Sequence, residues 1–435
     1  MNIEKSKNKI FFPLFFLPLT YIIGIAVVEI FLFFYLFFLF IINHDKKLID
    51  TKLVIVLFLF SFYVGVNAFI QIPSNLKYAS IFHFRYVFFS IAVFYFFDKY
   101  SQIIKNKKLI ISLFFIVIIF LLSDSIFQFF VGENIFGQKL LQYRVSSFFG
   151  DDLILGSYLI RLLPIIIWYL FYLSVDVNSN KLYFTLFFSI YFIVIYLSGE
   201  RASFALLITF IFLSLLFIFE LRVILIRSTL ILSIFILVTI LIPKSFIYKH
   251  GKPDVADRMF NKTIKQITKP SNNQKEKDNL RNDNFITFVK SLKVFSKHHQ
   301  GHFIVAKNLF LENPIFGVGP KGFRHFCRVV DYDPKEGICS THPHNILAQI
   351  LSELGLIGLF FYLIFLIFLI KNSFIKRGKE IKTLDLNSFL IISIGIIVHL
   401  IPILPSGNFF NNWISSFIYF KIGLLLYSHK KVFSK

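Results

Sequence analysis

The sequence predicts an all-α polytopic membrane protein of about twelve transmembrane helices with one large hydrophilic loop. Three observations carry that prediction. Mean hydropathy is +0.72 and 56% of the 435 residues are hydrophobic, so the chain holds more span-length apolar runs than a soluble core can bury. Lys and Arg recur at alternate ends of those runs. One polar stretch, 243–343, is far longer than any other.

Ile10 to Ile42 is one apolar run, too long for a single span. It also lacks the small-residue cleavage site of a removable signal peptide. Pro13 and Pro18 bend it early and Glu29 falls past its middle, so it reads as two short helices, 10–26 and 28–42. Further spans are expected at about 53–71, 79–97, 108–126, 153–173, 182–198, 202–219, 224–242, 344–370, 387–404 and 411–428. The chain therefore divides into 1–242 with nine spans, the loop 243–343, and 344–435 with three.

The charge pattern tests the count. With Lys5, Lys7 and Lys9 in the cytoplasm, the short inner loops hold Lys46, Lys47, Lys52, Lys99, Lys105, Lys107 and Lys108. Later inner segments hold Lys371, Lys376, Arg377, Lys379, Lys382, Lys430, Lys431 and Lys435, whereas the outer loops around Pro73, Gly199 and Gly407 hold almost none. That is the positive-inside bias with both termini cytoplasmic. Because most basic residues border spans, the formal charge of +22 does not indicate a nucleic-acid partner.

By parity the loop 243–343 faces outward. It carries 18 Lys and Arg against 9 Asp and Glu, but long loops translocate whatever their charge. Lys269 to Asp283 has the polar composition of an unstructured linker. Phe285 to Glu312 has helical apolar spacing through Phe288, Leu292, Phe295, Phe303, Ala306, Leu309 and Phe310, as expected of amphipathic helices over the outer mouth. Asn313 to Phe323 is a glycine-rich turn. Cys327 and Cys339 lie twelve residues apart in this outward loop. They can close a disulfide worth roughly 2–4 kcal/mol, or remain two thiols.

The stretch Thr341 to Gly358 then runs back into an apolar helix. His342 and His344 stand at its mouth, and Pro343 suits a first helical turn. Gly355 and Gly358 admit close approach of neighbouring helices. Glu353, nine positions after His344, is half a turn out of phase with it and suits a structural hydrogen bond.

Ionisable groups inside spans are functional candidates by default. Arg85 (beside His83), Arg161, Arg201 and His399 all fall toward the outer side, and Arg144, Asp151 and Asp152 border it. Guanidinium forks hold phosphate oxygens and stay charged, and helix N-termini favour anions. A helix end also disfavours a protonated His344 and keeps the imidazole fit to accept a proton. Arginines plus a neutral histidine describe a transferase with a diphosphate leaving group. Plainer roles stand beside these. His344 can cap its helix, His342 can be structural, Arg201 can snorkel to headgroups, and Arg144 and Arg161 can pair with Asp151, Asp152 or other buried acids. Lys321, Arg324 and Arg328 suit solvated surface. Asp331 to Asp333 resembles an acidic metal motif, but such triplets are common in loops, and no metal site is expected.

LSGERASFALLITF, ENPIFGVGPKGF and THPHNILAQILSELGLIGL, set around one large outward loop, resemble the O-antigen ligase and polymerase superfamily over about Arg144 to Leu369. The resemblance implies a membrane-embedded glycosyltransferase of the C type, in a bacterial inner membrane with its active site on the periplasmic face. It implies an undecaprenyl-diphosphate-linked glycan as donor and no metal ion or other cofactor. The acceptor would be a lipid A–core oligosaccharide, or a second lipid-linked glycan in a polymerase. His344 matches the family's essential histidine and Arg201 its span-end arginine, with His342 and Asn345 beside the substrate. The Ser-Gly-x-Arg element has Glu200 where small or polar residues are usual. The family's second arginine usually precedes the Asn-Pro-x-x-Gly-x-Gly element, where this chain has His302, so Arg258 and Arg324 are both candidates. Arg144, Arg85 and Arg161 complete the expected substrate contacts. A flippase or transporter of a lipid-linked anion is the alternative of another class; it predicts charges across both leaflets, against the one-sided clustering.

Overall fold

A computed structural model describes residues 17–41, 51–72, 78–105, 108–141, 144–177, 179–241, 255–261, 297–327, 339–372 and 383–433. The linker Lys269–Asp283, Phe288 to Phe295, Arg328, Asp331–Asp333 and Pro73 lie outside the described residues.

Each predicted apolar segment overlaps a helix. The first run breaks at Gly24, three residues before the expected break, because Gly24 takes a φ of 136°. It separates α1 (Leu17–Ile23) from α2 (Ile25–Ile41). There follow α3 (Thr51–Gln71), α4 (Tyr78–Ile81), a 3-10 turn (Phe82–Phe84), α5 (Arg85–Lys105), α6 (Lys108–Val131), α7 (Leu155–Tyr172) and α8 (Lys181–Leu197). Next come α9 (Arg201–Phe217), α10 (Arg222–Leu241), α11 (Lys297–Glu312), α12 (Phe323–Phe326), α13 (Ile346–Ile370), α14 (Thr383–Leu400) and α15 (Asn412–Phe433). Six helical stretches among the described residues are long and apolar enough to cross a membrane: Lys52–Gln71, Ser112–Val131, Leu155–Tyr172, Phe219–Leu241, Ile346–Ile370 and Thr383–Leu400.

Helix α7 is the centre of the bundle. Nearly all of it is buried, from Leu155 to Tyr172, and it packs on α14, α8, α9 and α15. Pro164 inside α7 fits against Gly395 of α14, where any Cβ would strike the proline ring. That close approach explains a glycine in the middle of an apolar helix. Large rings fill the space around it: Trp168 stacks on Tyr172 with centroids 4.8 Å apart, and its indole N–H donates to Ser428 Oγ at 2.8 Å.

A second, smaller core sits over α13. Val305, Ala306 and Leu309 of α11 pack with Val318, Phe323, Cys327 and Ala348. Phe303 lies against them, as the apolar spacing of this segment requires. Cys327 and Cys339 are joined by a disulfide, Cα–Cα 5.5 Å, beside this core. It ties the end of α12 to the segment that leads into the histidines.

The glycine-rich turn does more than connect. Helix α13 is broken at Gly355, with φ 64° and ψ −158°, and residues 314–319 pair with the break. Val318 N donates to Ser352 O and Gly319 N to Glu353 O, each at 2.9 Å, while Leu356 N donates to Pro314 O at 2.9 Å. Tyr63 Oη donates to Leu354 O at 2.6 Å. A Cβ on Gly355 would fall on the Ile315 carbonyl. Its neighbour is thus the glycine turn, not the helix expected from sequence.

Candidate active site

Two groups of polar side chains lie at helix starts, one at the α8–α9 turn and one before α13. The first surrounds the turn between α8 and α9. Gly199, at φ 64°, ends α8, and Glu200 is extended before Arg201 opens α9. The turn exposes carbonyls that two arginines cover. Arg144 Nε donates to Ser198 O at 2.9 Å and its Nη2 to Leu153 O at 2.5 Å; Arg258 Nε donates to Gly199 O at 3.1 Å. Arg144 is delivered by a loop whose Ser146 and Ser147 amides donate to Gln128 Oε1 at 3.0 and 2.7 Å. Arg144, Arg201 and Arg258 therefore converge. Burial, with Arg201 next in effect, lowers the pKa of Arg258, and burial lowers that of Arg144 with a further contribution from Arg258.

Glu200 is the group that sequence reasoning undervalued. Its carboxylate accepts from the Gly156 and Ser157 amides at 2.8 and 3.1 Å, which start α7, and from Ser203 Oγ at 2.9 Å. It also lies 3.5 Å from Arg144. A carboxylate on helix-terminal amides is a favourable charge–dipole arrangement, and here it locks α7 to α9. Its only signal was the departure from a small or polar residue at that position.

The second group is made of imidazoles. Helix α13 begins at Ile346, with Asn345 as its N-cap: Asn345 Oδ1 accepts from Ala348 N at 3.0 Å. Pro343 thus lies outside the helix, and His344 precedes the cap in the left-handed region at φ 56°. A bulky side chain rarely adopts that conformation without a reason. The His344 ring lies 4.1 Å from that of His342 and 5.1 Å from that of His302, centroid to centroid. His302 comes from α11, 42 positions earlier, so no local spacing announces the cluster. His342 Nε2 faces Ser406 O at 3.2 Å and its Nδ1 faces Thr341 Oγ1 at 3.0 Å. The carbonyl requires an N–H, which leaves Nδ1 to accept from the hydroxyl. Burial first, then His344, pushes the His342 pKa down to about 3.

The remaining predicted residues fall elsewhere. Arg85 is bound to Glu29 at 2.9 Å, with Tyr86 Oη at the same distance from its Nη2, and His83 Nε2 lies 3.2 Å from Tyr419 Oη. Arg161 is buried, donates from Nη1 to Ser157 O at 2.8 Å and has its guanidinium 5.7 Å from the centre of the Trp413 ring. Arg324 sits on the imidazole side, near enough to His342 to disfavour its charged form. Glu353 is fully buried; it accepts from Phe323 N at 3.2 Å and from Gln349 Nε2 at 3.0 Å. A cavity nearby is lined by Arg161, His399 and Ser406 together with Leu206 of α9 and Ile346 at the start of α13; none of the arginines of the first group or the imidazoles of the second is among its lining residues.

The arrangement can bind an anion on one side through arginines and exchange a proton on the other through an imidazole. Residues 186–363 match a family model described as O-antigen ligase. No curated protein matches the chain.

Proposed function

Since residues 186–363 belong to the O-antigen ligase superfamily, we propose that the protein transfers a glycan from undecaprenyl diphosphate to a lipid A–core acceptor on the periplasmic face of the inner membrane. His344 takes the proton from the acceptor hydroxyl. That hydroxyl attacks the anomeric carbon with inversion, and polyprenyl diphosphate departs. Arg201 and Arg258 hold the departing charge, with Arg144 behind them, and no metal is needed. Twelve spans and two cytoplasmic termini complete the reading.

The observation that carries it is the backbone of His344. A non-glycine residue at φ 56° beside two other imidazoles is the kind of local strain that accompanies function. His342, kept neutral and tautomerically fixed, positions the segment. Arg258 is favoured over Arg324 as the second arginine because it shares the Gly199 turn with Arg201. General-base catalysis is worth about 10²–10⁴-fold. A folded His344→Ala protein with lipid-linked donor and acceptor should lose transfer by at least that order; full transfer by this variant refutes the assignment.

A polymerase that extends a second lipid-linked glycan uses the same chemistry. The acceptor assay separates the two: transfer to core oligosaccharide marks the ligase, and chain growth on polyprenyl diphosphate marks the polymerase. A flippase of a lipid-linked anion would instead leave donor uncleaved in both.

A further inference from the structure

The strained backbone of His344 is gripped by the loop between α14 and α15, residues 401–411. Ser406 N donates to His344 O at 2.9 Å, and Ser406 O accepts from His342 Nε2 at 3.2 Å. Asn345 forms an antiparallel bridge with Pro405, and its Nδ2 donates to Pro402 O. Ser406 thus touches both imidazole residues through its main chain. Its side chain belongs to another neighbourhood, since Ser406 also lines the cavity shared by Arg161 and His399.

About 20 Å³ of that cavity is open to the centre of a water molecule, which is room for about one water. Arg161 is 3% and His399 8% exposed. Arg161 Nε, His399 Nε2 and Ser406 Oγ are buried without a hydrogen-bond partner among the described residues. Three such atoms on one small cavity are unusual, because buried polar groups are nearly always satisfied. Their donor and acceptor roles match those of water. His399 Nδ1 lies 2.7 Å from Gly395 O, a contact a ring nitrogen makes as donor, so Nε2 of the neutral ring accepts. Lys421 Nζ donates to that same carbonyl at 3.0 Å. Arg161 Nε can only donate. One water gives a proton to His399 Nε2 and accepts from Arg161 Nε, and its remaining sites meet the Ser406 hydroxyl in either sense. Three bonds are the usual complement of a buried water. The loop also lies directly against the guanidinium, as a Cβ on Gly407 would come 3.3 Å from Arg161 Nη2.

We infer that one buried water binds Arg161 Nε, His399 Nε2 and Ser406 Oγ, and that through Ser406 it fixes the backbone holding His342 and His344. Arg161 and His399 are then positioning residues. They anchor Ser406 to α7, the buried centre of the bundle, and to α14. This gives two ionisable side chains in otherwise apolar helices a role apart from the Arg144–Arg201–Arg258 group. The water site itself does not depend on the reaction, whereas its effect on transfer rests on the reading of His344 as the base.

The test begins with an experimental density map of the full chain in lipid nanodiscs, sharp enough to show ordered waters. One water peak should lie within about 3.2 Å of all three atoms; no peak there, or direct contacts among the three side chains, overturns the site. In the transfer assay Ser406→Ala and His399→Leu should each lower kcat about fivefold, the worth of one hydrogen bond, with KM changed less than about twofold. Ser406→Thr keeps the hydroxyl, and His399→Gln can place an amide oxygen where Nε2 accepts, so both should recover most of the loss. Full kcat in Ser406→Ala, or equal kcat in His399→Leu and His399→Gln, overturns the positioning role. The map of Ser406→Ala is a readout without catalysis: His344 should leave the left-handed region, and an unmoved His344 overturns the role as well. Full transfer by His344→Ala would refute the proposed base while the two maps still decide this inference.

Discussion

Replacing Gly355 by alanine tests how the large loop is joined to the bundle. At φ 64° and ψ −158° the backbone lies in a region that only glycine adopts readily, and a side chain there costs about 1–3 kcal/mol. The new Cβ would also fall on the Ile315 carbonyl, so segment 314–319 must withdraw. Four backbone hydrogen bonds tie that segment to α13, from Val318, Gly319, Leu356 and Ile357, at about 1 kcal/mol each. Losing two of them with the backbone strain gives a destabilisation of about 3–5 kcal/mol. Gly65 of α3 is the control, since no positive φ holds it and a Cβ there comes no nearer than 3.3 Å to any neighbour, the Ile81 carbonyl, and Gly65→Ala should cost about 1 kcal/mol or less. Thermal unfolding in micelles reads the difference directly. Equal Tm values for the two variants would show that the break at Gly355 carries no such strain.

The second arginine can be assigned by comparing Arg258→Ala with Arg324→Ala in the transfer assay. Arg258→Ala should lower transfer at least tenfold more than Arg324→Ala, and the reverse order would move the diphosphate to the imidazole side. His342 makes a pH prediction. Its folded value of about 3 lies below the ordinary 6.5, so the unfolded chain binds the extra proton between those values. Its contribution to stability is full above pH 6.5 and is lost as pH falls toward 3, with a slope of at most about 1.4 kcal/mol per pH unit. Tm measured from pH 7.5 to 4 should therefore fall less steeply for His342→Gln than for the parent; parallel curves would refute this.

The helices were legible because apolar runs of span length leave few alternatives, and Arg201 opens its helix as expected from the Ser-Gly-x-Arg element. What escaped depends on contacts between distant parts of the chain. His302 reaches His344 only because α11 packs on α13, and nothing in the spacing of either segment encodes that. The ion pair of Arg85 with Glu29 of α2 joins positions 56 residues apart, which no local spacing announces. Arg161 and His399 were visible as ionisable interlopers in apolar helices, but the cavity they share is a property of five helices at once. The start of α13 was misjudged because Pro343 fits a helical first turn on local grounds, whereas Asn345 supplies the cap.

The break in α13 sets a depth. Gly355 is nine residues beyond Ile346, and at about 1.5 Å of rise per residue it lies about 14 Å along the helix. In a hydrocarbon layer about 30 Å thick, a spanning α13 would carry the glycine segment nearly to the midplane as a re-entrant loop. Non-helical backbone survives at such depth only where protein satisfies it. Here Ser352, Glu353, Tyr63 and Asn67 do so, Asn67 Nδ2 donating to Phe316 O at 2.5 Å. At that depth a spanning α13 would therefore be flanked by hydrogen-bonded protein rather than by lipid chains.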